Sequence, residues 1–364
     1  MNEHGKLLVF HHSDLDGMGV KLLGMLYGVM KGYEIEDIET FKCNYGDIDS
    51  IIENRLDNDP HMVTEIIIGD ISVQSQHTAD ILDNFYTKIP VSLYDHHATA
   101  TWLNKFFWAK VREKDEDGIE RCGTYWVAKE MFNPVFLADN EYVKYFIELV
   151  DLYDTWKWVN LDPSNPVVEA DNLNSVFKMM GEKDFTDFIF PRLIQNEPFF
   201  DDTTKMIVSI RNRQLDNKAF KLNKDMRIGQ FVFDTAGHPE MVDDLKKFYE
   251  ETYADDEART HYALTHFKEG YKKVFNVGVV FENNDLSDLG NRLLELHPEL
   301  DFVIFTCLPG LMSYRSKKNL AVPLGIIAKY ATGRGGGHPQ SAGGSIKPSS
   351  LNKVMKEILP DLSL

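Results

Sequence analysis

The chain has 364 residues, 26% of them charged, with 57 acidic against 39 basic side chains and a formal charge of −18. That length exceeds what one hydrophobic core usually organises, so two domains are expected, each able to bury a sizeable core. The acidity opposes capture of long nucleic acid, which leans on a basic footprint, and favours a small phosphorylated partner held locally.

Cys43, Cys122 and Cys307 are widely spaced and form no CxxC pair, which argues against a disulfide framework or a structural zinc cage. The first six residues are polar and precede only a short apolar stretch, so neither a signal peptide nor a membrane span is read. A soluble cytoplasmic protein without a membrane partner is expected.

In chain order, Leu7-Leu8-Val9-Phe10 reads as a buried strand. Gly17-Met18-Gly19 then opens a helical stretch with Val20, Leu23, Leu26 and Met30 in register. Residues 65–70 and 91–95 are two further apolar runs, each ending in a carboxylate, Asp70 and Asp95. In open α/β sheets ligands bind at the C-terminal edge, so Asp14, Asp16, Asp70, Asp95, His96 and His97 are predicted to converge there. Tyr142, Tyr145, Phe146, Leu149 and Val150 give residues 141–150 a helical face, and this helix runs into Asp151 and Asp154. From about 160 to 265 the periodicity is broken and the stretch is read as helices. Residues 276–281, 302–306 and 312–316 are strand-like, with helices near 286–296 and 323–330, which predicts a smaller α/β domain.

His12, Asp14 and Asp16 alternate just past a strand, so an extended turn would point all three side chains the same way. Carboxylate oxygen mixed with imidazole suits Mn²⁺, Mg²⁺, Fe²⁺ or Zn²⁺ rather than sulfur-loving ions. Taken alone, the DxDG string also fits an ordinary acidic turn, and Asp70 fits a turn or helix cap. Asp95-His96-His97 is more specific, because burying such a trio without a cation or substrate leaves charge and lone pairs uncompensated. His11 falls out of the alternating register and is read as a supporting or structural residue. Gly335-Gly336-Gly337 before His338 lets the main chain approach an anion and offer its amides. Arg315 and Arg334 supply cations near it. The five tryptophans read as core rather than as a base-stacking platform.

His12-x-Asp14-x-Asp16-Gly17, Asp70, Asp95-His96-His97, the segment 151–158 and the terminal glycine string together resemble the DHH phosphoesterase superfamily, in the branch with a C-terminal DHHA1 domain. The short H-x-D-x-D-G form, Tyr-Asp-His-His-Ala-Thr-Ala and Tyr-Asp-Thr-Trp-Lys-Trp are most similar to nanoRNase B-type oligoribonucleases. The resemblance implies an α/β fold. A DHH catalytic domain over residues 1–200 would have a mainly parallel sheet flanked by helices. A helical connector would span 201–265 and a substrate-binding DHHA1 domain 266–364, with the active-site cleft between the two domains.

By the same resemblance two divalent ions are implied, Mn²⁺ first and Mg²⁺ next. His12 and Asp14 would hold one, Asp16, His96 and Asp151 the other, and Asp70 would bridge both and position the attacking solvent. Asp151 is preferred to Asp154 because it stands directly at the end of the apolar helix, and Asp154 stays as the alternative. His97 would orient the phosphate or stabilise charge in the transition state, with Asp95 behind it fixing a histidine. Arg315, Ser316, Arg334, Gly336, Gly337 and His338 would bind substrate, although Ser341 stands where the family commonly has alanine.

The implied activity is hydrolysis of RNA a few nucleotides long to nucleoside monophosphates. Alternatives are cleavage of 3′-phosphoadenosine 5′-phosphate or of cyclic or linear dinucleotides, and, in another class, a sensor that binds nucleotide without cleaving it. Long-DNA exonuclease and pyrophosphatase activities are disfavoured. Oligomeric state is left open, a homodimer included.

Overall fold

The computed structural model describes residues 5–155, 157, 168–253, 256–307, 310–317, 320–333, 335–337 and 339–346. The chain divides into two compact units, Met1–Arg211 and Asn212–Leu364.

The first unit contains β1 (Lys6–His11), α1 (Leu15–Met30), β2 (Ile38–Lys42), α2 (Ile48–Asp57), β3 (Val63–Gly69), α3 (Gln76–Tyr86), β4 (Val91–Asp95), β5 (Ala109–Val111), α4 (Gly123–Met131), α5 (Pro134–Asp139), α6 (Glu141–Asp154) and α7 (Val168–Gln195). Its strands form one sheet in the order β2-β1-β3-β4-β5, every pair parallel. A parallel sheet must be covered on both faces, which explains the unbroken apolar runs of β1 and β3. Along β1 the side chains alternate. Leu7 and Val9 pack with α1, α4, α6 and α7 in one core, and Leu8 and Phe10 pack with α2 and α3 in another. Each such fully buried side chain contributes roughly 1.5–3 kcal/mol.

The strand order reverses between β1 and β3, since β1 has β2 on one side and β3 on the other. Loops leaving neighbouring strands at such a point diverge to opposite faces and leave a crevice, where open α/β sheets bind ligands. The chain after β1 carries His12, Asp14 and Asp16, and the chain after β3 carries Asp70.

Two local readings change. The first helix begins at Leu15, two residues before Gly17, because Asp14 is its N-cap and accepts the Gly17 amide at 3.0 Å. Asp16 therefore lies in a helical first turn rather than in an extended one. The helix that starts at 141 continues through Asp151 to Asp154, so both carboxylates sit in its last turn.

The second unit follows α8 (Asp202–Asp225) with β6 (Arg227–Asp234), α9 (Pro239–Thr252), α10 (Glu257–His266), β7 (Lys272–Phe281), α11 (Leu286–Leu296), β8 (Phe302–Cys307), β9 (Leu311–Arg315), α12 (Leu324–Thr332), β10 (Gly336–Gly337) and β11 (Ser341–Ser345). Its mixed sheet runs β10-β11-β9-β8-β7-β6, with only β7 and β8 parallel among the described pairs. Strand β6 lies inside the stretch 201–265 that the sequence presents as a helical connector. Only Phe231 and Phe233 alternate inward while Ile228 is exposed, a period-2 signal too short to stand out among charged neighbours. No helix among the described residues is long and apolar enough to cross a membrane.

Candidate metal centre

The ends of β1, β3 and β4 bring the predicted residues of the first unit together. Three overlapping groups have ligand atoms within 4.8 Å of one another: His12, Asp14 and Asp70; Asp70, Asp95, His96 and His97; and Asp16, His96 and Asp154. Asp70 and His96 are the residues shared between groups. His12 Nδ1 lies 2.8 Å from Asp14 Oδ2 and 3.8 Å from Asp70 Oδ2. His96 Nε2 lies 3.2 Å from Asp70 Oδ1 and 3.6 Å from both Asp16 Oδ2 and Asp154 Oδ2.

Asp70 occupies the left-handed backbone region, φ 56°, immediately past β3. A non-glycine residue held there costs on the order of 1–3 kcal/mol, which the surroundings must supply. Its amide donates to the Tyr94 carbonyl at 3.0 Å, while its Oδ2 is buried without a hydrogen-bond partner among the described residues. Burial, followed by the charges of Asp16, Asp14 and Asp154, pushes the Asp70 carboxyl well above the usual carboxylate range. Asp154 is raised as well, by burial and then by Asp16 and Asp14. An orphaned buried oxygen and carboxylates that repel one another are the electrostatics of a site built for cations. Oxygen and imidazole donors without a thiolate suit a hard or borderline divalent ion.

Asp95, fully buried, holds the histidine pair. Its Oδ1 lies 2.7 Å from His97 Nδ1 and accepts the His96 amide at 2.7 Å, and its Oδ2 accepts the Ser72 hydroxyl at 2.5 Å. This fixes which nitrogen of His97 is committed and leaves Nε2 for a ligand, on a side chain 36% exposed. His11 is buried, with Nδ1 2.8 Å from the His12 carbonyl and Nε2 facing Glu182 at 3.8 Å. Burial above all drives its pKa down to about 4, so it stays neutral.

The geometry gathers Asp154, the alternative, rather than Asp151 with the other candidate ligands. Asp151 Oδ2 accepts Arg121 Nη1 at 2.8 Å, and its Oδ1 accepts the Cys122 amide at 2.9 Å. Asp154, one turn on, is the carboxylate that faces His96 and Asp16. One residue went unread. Tyr45, beyond β2, places its ring 5.9 Å from that of His12 and 5.7 Å from that of His97. Burial and then the carboxylates Asp95, Asp70, Asp14 and Asp154 push its phenol far up, so it remains a donor. A lone tyrosine on a polar loop carries no periodicity that would single it out.

In the second unit Arg315 donates to Ser287 Oγ (3.1 Å), Ser313 Oγ (2.7 Å), the Tyr314 carbonyl (2.8 Å) and the Ala342 carbonyl (3.3 Å). Ser316 is buried, with its hydroxyl donating to the Asp301 carbonyl at 2.8 Å. Gly336 and Gly337 are exposed and pair antiparallel with Gly343 and Ala342, so the string forms a short strand rather than an open loop. Gly337 has φ 135°, and a Cβ there would meet the Ser341 carbonyl at 2.6 Å. β10 borders a cavity of about 280 Å³ with Lys247, Phe248, Ile326 and Lys329. Arg334 and His338 lie outside the described residues, as do Trp156 and Trp158. Trp108 and Trp126 are core residues.

No family model matches the chain. The oligoribonuclease NrnB of Bacillus subtilis (strain 168) is 23% identical over 343 residues, spanning 93% of this chain and 72% of that protein. Among solved structures, RecJ of Thermus thermophilus in complex with Mn²⁺ superposes with a TM-score of 0.48 at 13% identity, covering 98% of this chain and 52% of that one. This chain thus spans about half the length of that RecJ. An uncharacterized protein from Helicobacter pylori G27 superposes at 0.38 with 17% identity, covering 99% of this chain and 100% of that one. With its motif residues gathered at one sheet edge, the chain resembles the DHH-superfamily phosphoesterases that carry a DHHA1 domain. Its likeness to NrnB is consistent with a nanoRNase B-type oligoribonuclease.

Proposed function

We propose that the protein is a cytoplasmic, Mn²⁺-dependent exoribonuclease that hydrolyses short oligoribonucleotides to nucleoside monophosphates. The observation that carries this reading is the set of three potential ligand groups joined through Asp70 and His96, a donor array that would serve two cations. The relative of nearly full length is named an oligoribonuclease, which supports RNA as substrate. The charge of −18 supports a short one. Three free, buried cysteines suit a reducing compartment.

In this reading His12 and Asp14 hold one ion, Asp16, His96 and Asp154 the other, and Asp70 serves both. Divalent ions so held would lower the pKa of a water molecule and neutralise charge on a phosphodiester. The chain's own contribution is positional. Asp70 is fixed by its backbone, His96 is held by the hydrogen bond its backbone N–H donates to Asp95 Oδ1, and His97, with Nδ1 tied to Asp95, turns Nε2 toward a phosphate oxygen. From there it acts as a hydrogen-bond donor where negative charge develops. Arg315 and the Gly336–Gly337 backbone bind the nucleotide, with Arg334 and His338 of the same string.

The test is hydrolysis of end-labelled RNA 2-mers to 10-mers with Mn²⁺, run beside a 30-mer, a cyclic dinucleotide and 3′-phosphoadenosine 5′-phosphate. Monophosphate released fastest from the shortest RNAs is expected. Equal rates on the 5-mer and the 30-mer would remove the length preference. Preference for the cyclic dinucleotide or the bisphosphate would reassign the substrate. Binding without cleavage would make the protein a sensor.

A further inference from the structure

Asp151, Arg121 and the N-terminus of α4 form a latch beside the metal centre. Three successive main-chain amides open α4. The first, Cys122, donates to Asp151 Oδ1 at 2.9 Å. The next two, Gly123 and Thr124, donate to Asp16 Oδ2 and Oδ1, each at 2.7 Å. The Thr124 hydroxyl adds a bond to the Asp16 carbonyl at 2.7 Å. One helix start therefore grips two carboxylates, 3% and 1% exposed, where its unpaired amides and dipole favour negative charge.

The two carboxylates have different company. Asp16 keeps Oδ2 within 3.6 Å of His96 and belongs to the group with Asp154. Asp151 faces a cation of the protein's own. Arg121 Nη1 reaches it at 2.8 Å, Arg121 Nε holds Asp115 at 2.8 Å, and the guanidinium lies over the Tyr125 ring at 4.4 Å. Lys157 adds a second positive group at 3.6 Å. A carboxylate already neutralised in this way is a poor metal ligand, but it is a strong tether. Asp151 stands one helical turn before Asp154 on α6, so tethering it to the start of α4 sets the distance between Asp154 and the Asp16 that α4 also holds.

We propose that Asp151, through Arg121 and the Cys122 amide, is a positioning residue that sets Asp16 and Asp154 to the spacing required by one of the two cations, without touching that cation. The inference rests on the two-ion reading of the site. It assigns a role to the ion pair beyond holding two helices together, because only one of the two ions depends on it.

The experiment is a calorimetric Mn²⁺ titration of the metal-stripped full-length protein, with the electron paramagnetic resonance signal of spin-coupled Mn²⁺ pairs as a second readout, on the wild type and on D151N, R121Q, D151E and D154N. Two ions are expected for the wild type. In D151N and R121Q one affinity should hold within about twofold while the other weakens on the order of 10–100-fold, the usual cost of losing a residue that orients a ligand. The coupled signal should be lost at Mn²⁺ concentrations that saturate the wild type and return when more is added. D151E, which keeps the charge, should recover part of the affinity. D154N should lose that ion at every concentration.

Unchanged affinities in D151N would overturn the latch and leave the metal centre standing. Complete loss of one ion in D151N, with little effect in D154N, would make Asp151 a ligand and also overturn it. Equal weakening of both ions would reduce the pair to general support. A wild type that binds fewer than two ions would instead remove the reading on which the latch rests.

Discussion

The ligand cluster after β1, β3 and β4 and the glycine strand β10 differ in what they present. The first is made of side chains, buried or half-buried, whose carboxylates repel one another until a counter-charge arrives. The second is exposed backbone, Gly336 and Gly337 having no side chains of their own. Chemistry at the first depends on where a few atoms sit to within tenths of an ångström, so strain and a dense outer shell maintain it. Contact at the second depends on how closely a ligand can approach, so it is maintained by leaving atoms out.

That contrast can be broken most severely at Asp70. D70N keeps the shape and removes the charge shared by two ligand groups. It should cost more than the about 100-fold that loss of an outer partner costs, with metal binding falling alongside activity. Activity retained within tenfold, measured as kcat/KM on a short RNA, would show that the cluster is not the reactive wall. Gly123 tests how tightly the outer shell is fitted. A Cβ there would meet Asp70 Cβ at 2.7 Å and its Cα at 2.8 Å, so G123A should lower stability by roughly 1–3 kcal/mol and disturb the cluster. A melting temperature and Mn²⁺ affinity both equal to wild type would refute that fit.

Gly337 sharpens the other side. G337A forces a side chain into φ 135° against the Ser341 carbonyl, and should raise KM while leaving Mn²⁺ affinity unchanged. A fall in metal affinity of the same size would erase the distinction between the two regions.

The smallest expected effect is a pH dependence. Without metal, Asp70 and Asp154 bind protons more tightly folded than unfolded, so stability should decline as pH rises from the ordinary carboxylate value through the raised folded one. Most of that decline should come from Asp70, whose side chain is 2% exposed against 25% for Asp154. Cations replace those protons, so the stabilisation from added Mn²⁺ should grow as pH rises, read as a melting-temperature difference. A constant difference across that range would deny that these carboxyls are poised by mutual repulsion.

The sheet edge was legible because apolar runs at 7–10, 65–68 and 91–94 end in residues that serve no core, and parallel topology carries such ends to one side. The choice between Asp151 and Asp154 was not legible. Asp151 and Asp154 share a helix face, and the choice between them is made by Arg121 and the Cys122 amide, about thirty residues earlier in the chain. β6 was hidden because two inward phenylalanines do not make a readable alternation, and Tyr45 because nothing around it repeats. The glycine string reads as a phosphate-gripping run, but its partner β11 is placed by β9, whose register no local pattern encodes.

The left-handed backbone of Asp70 also restricts which relatives of this sequence can exist. Few residues other than glycine tolerate that conformation, asparagine and aspartate foremost among them. A lineage that abandoned catalysis would pass most easily through asparagine or glycine at this position, and those two letters would mark it as a descendant that kept the architecture after the chemistry had gone.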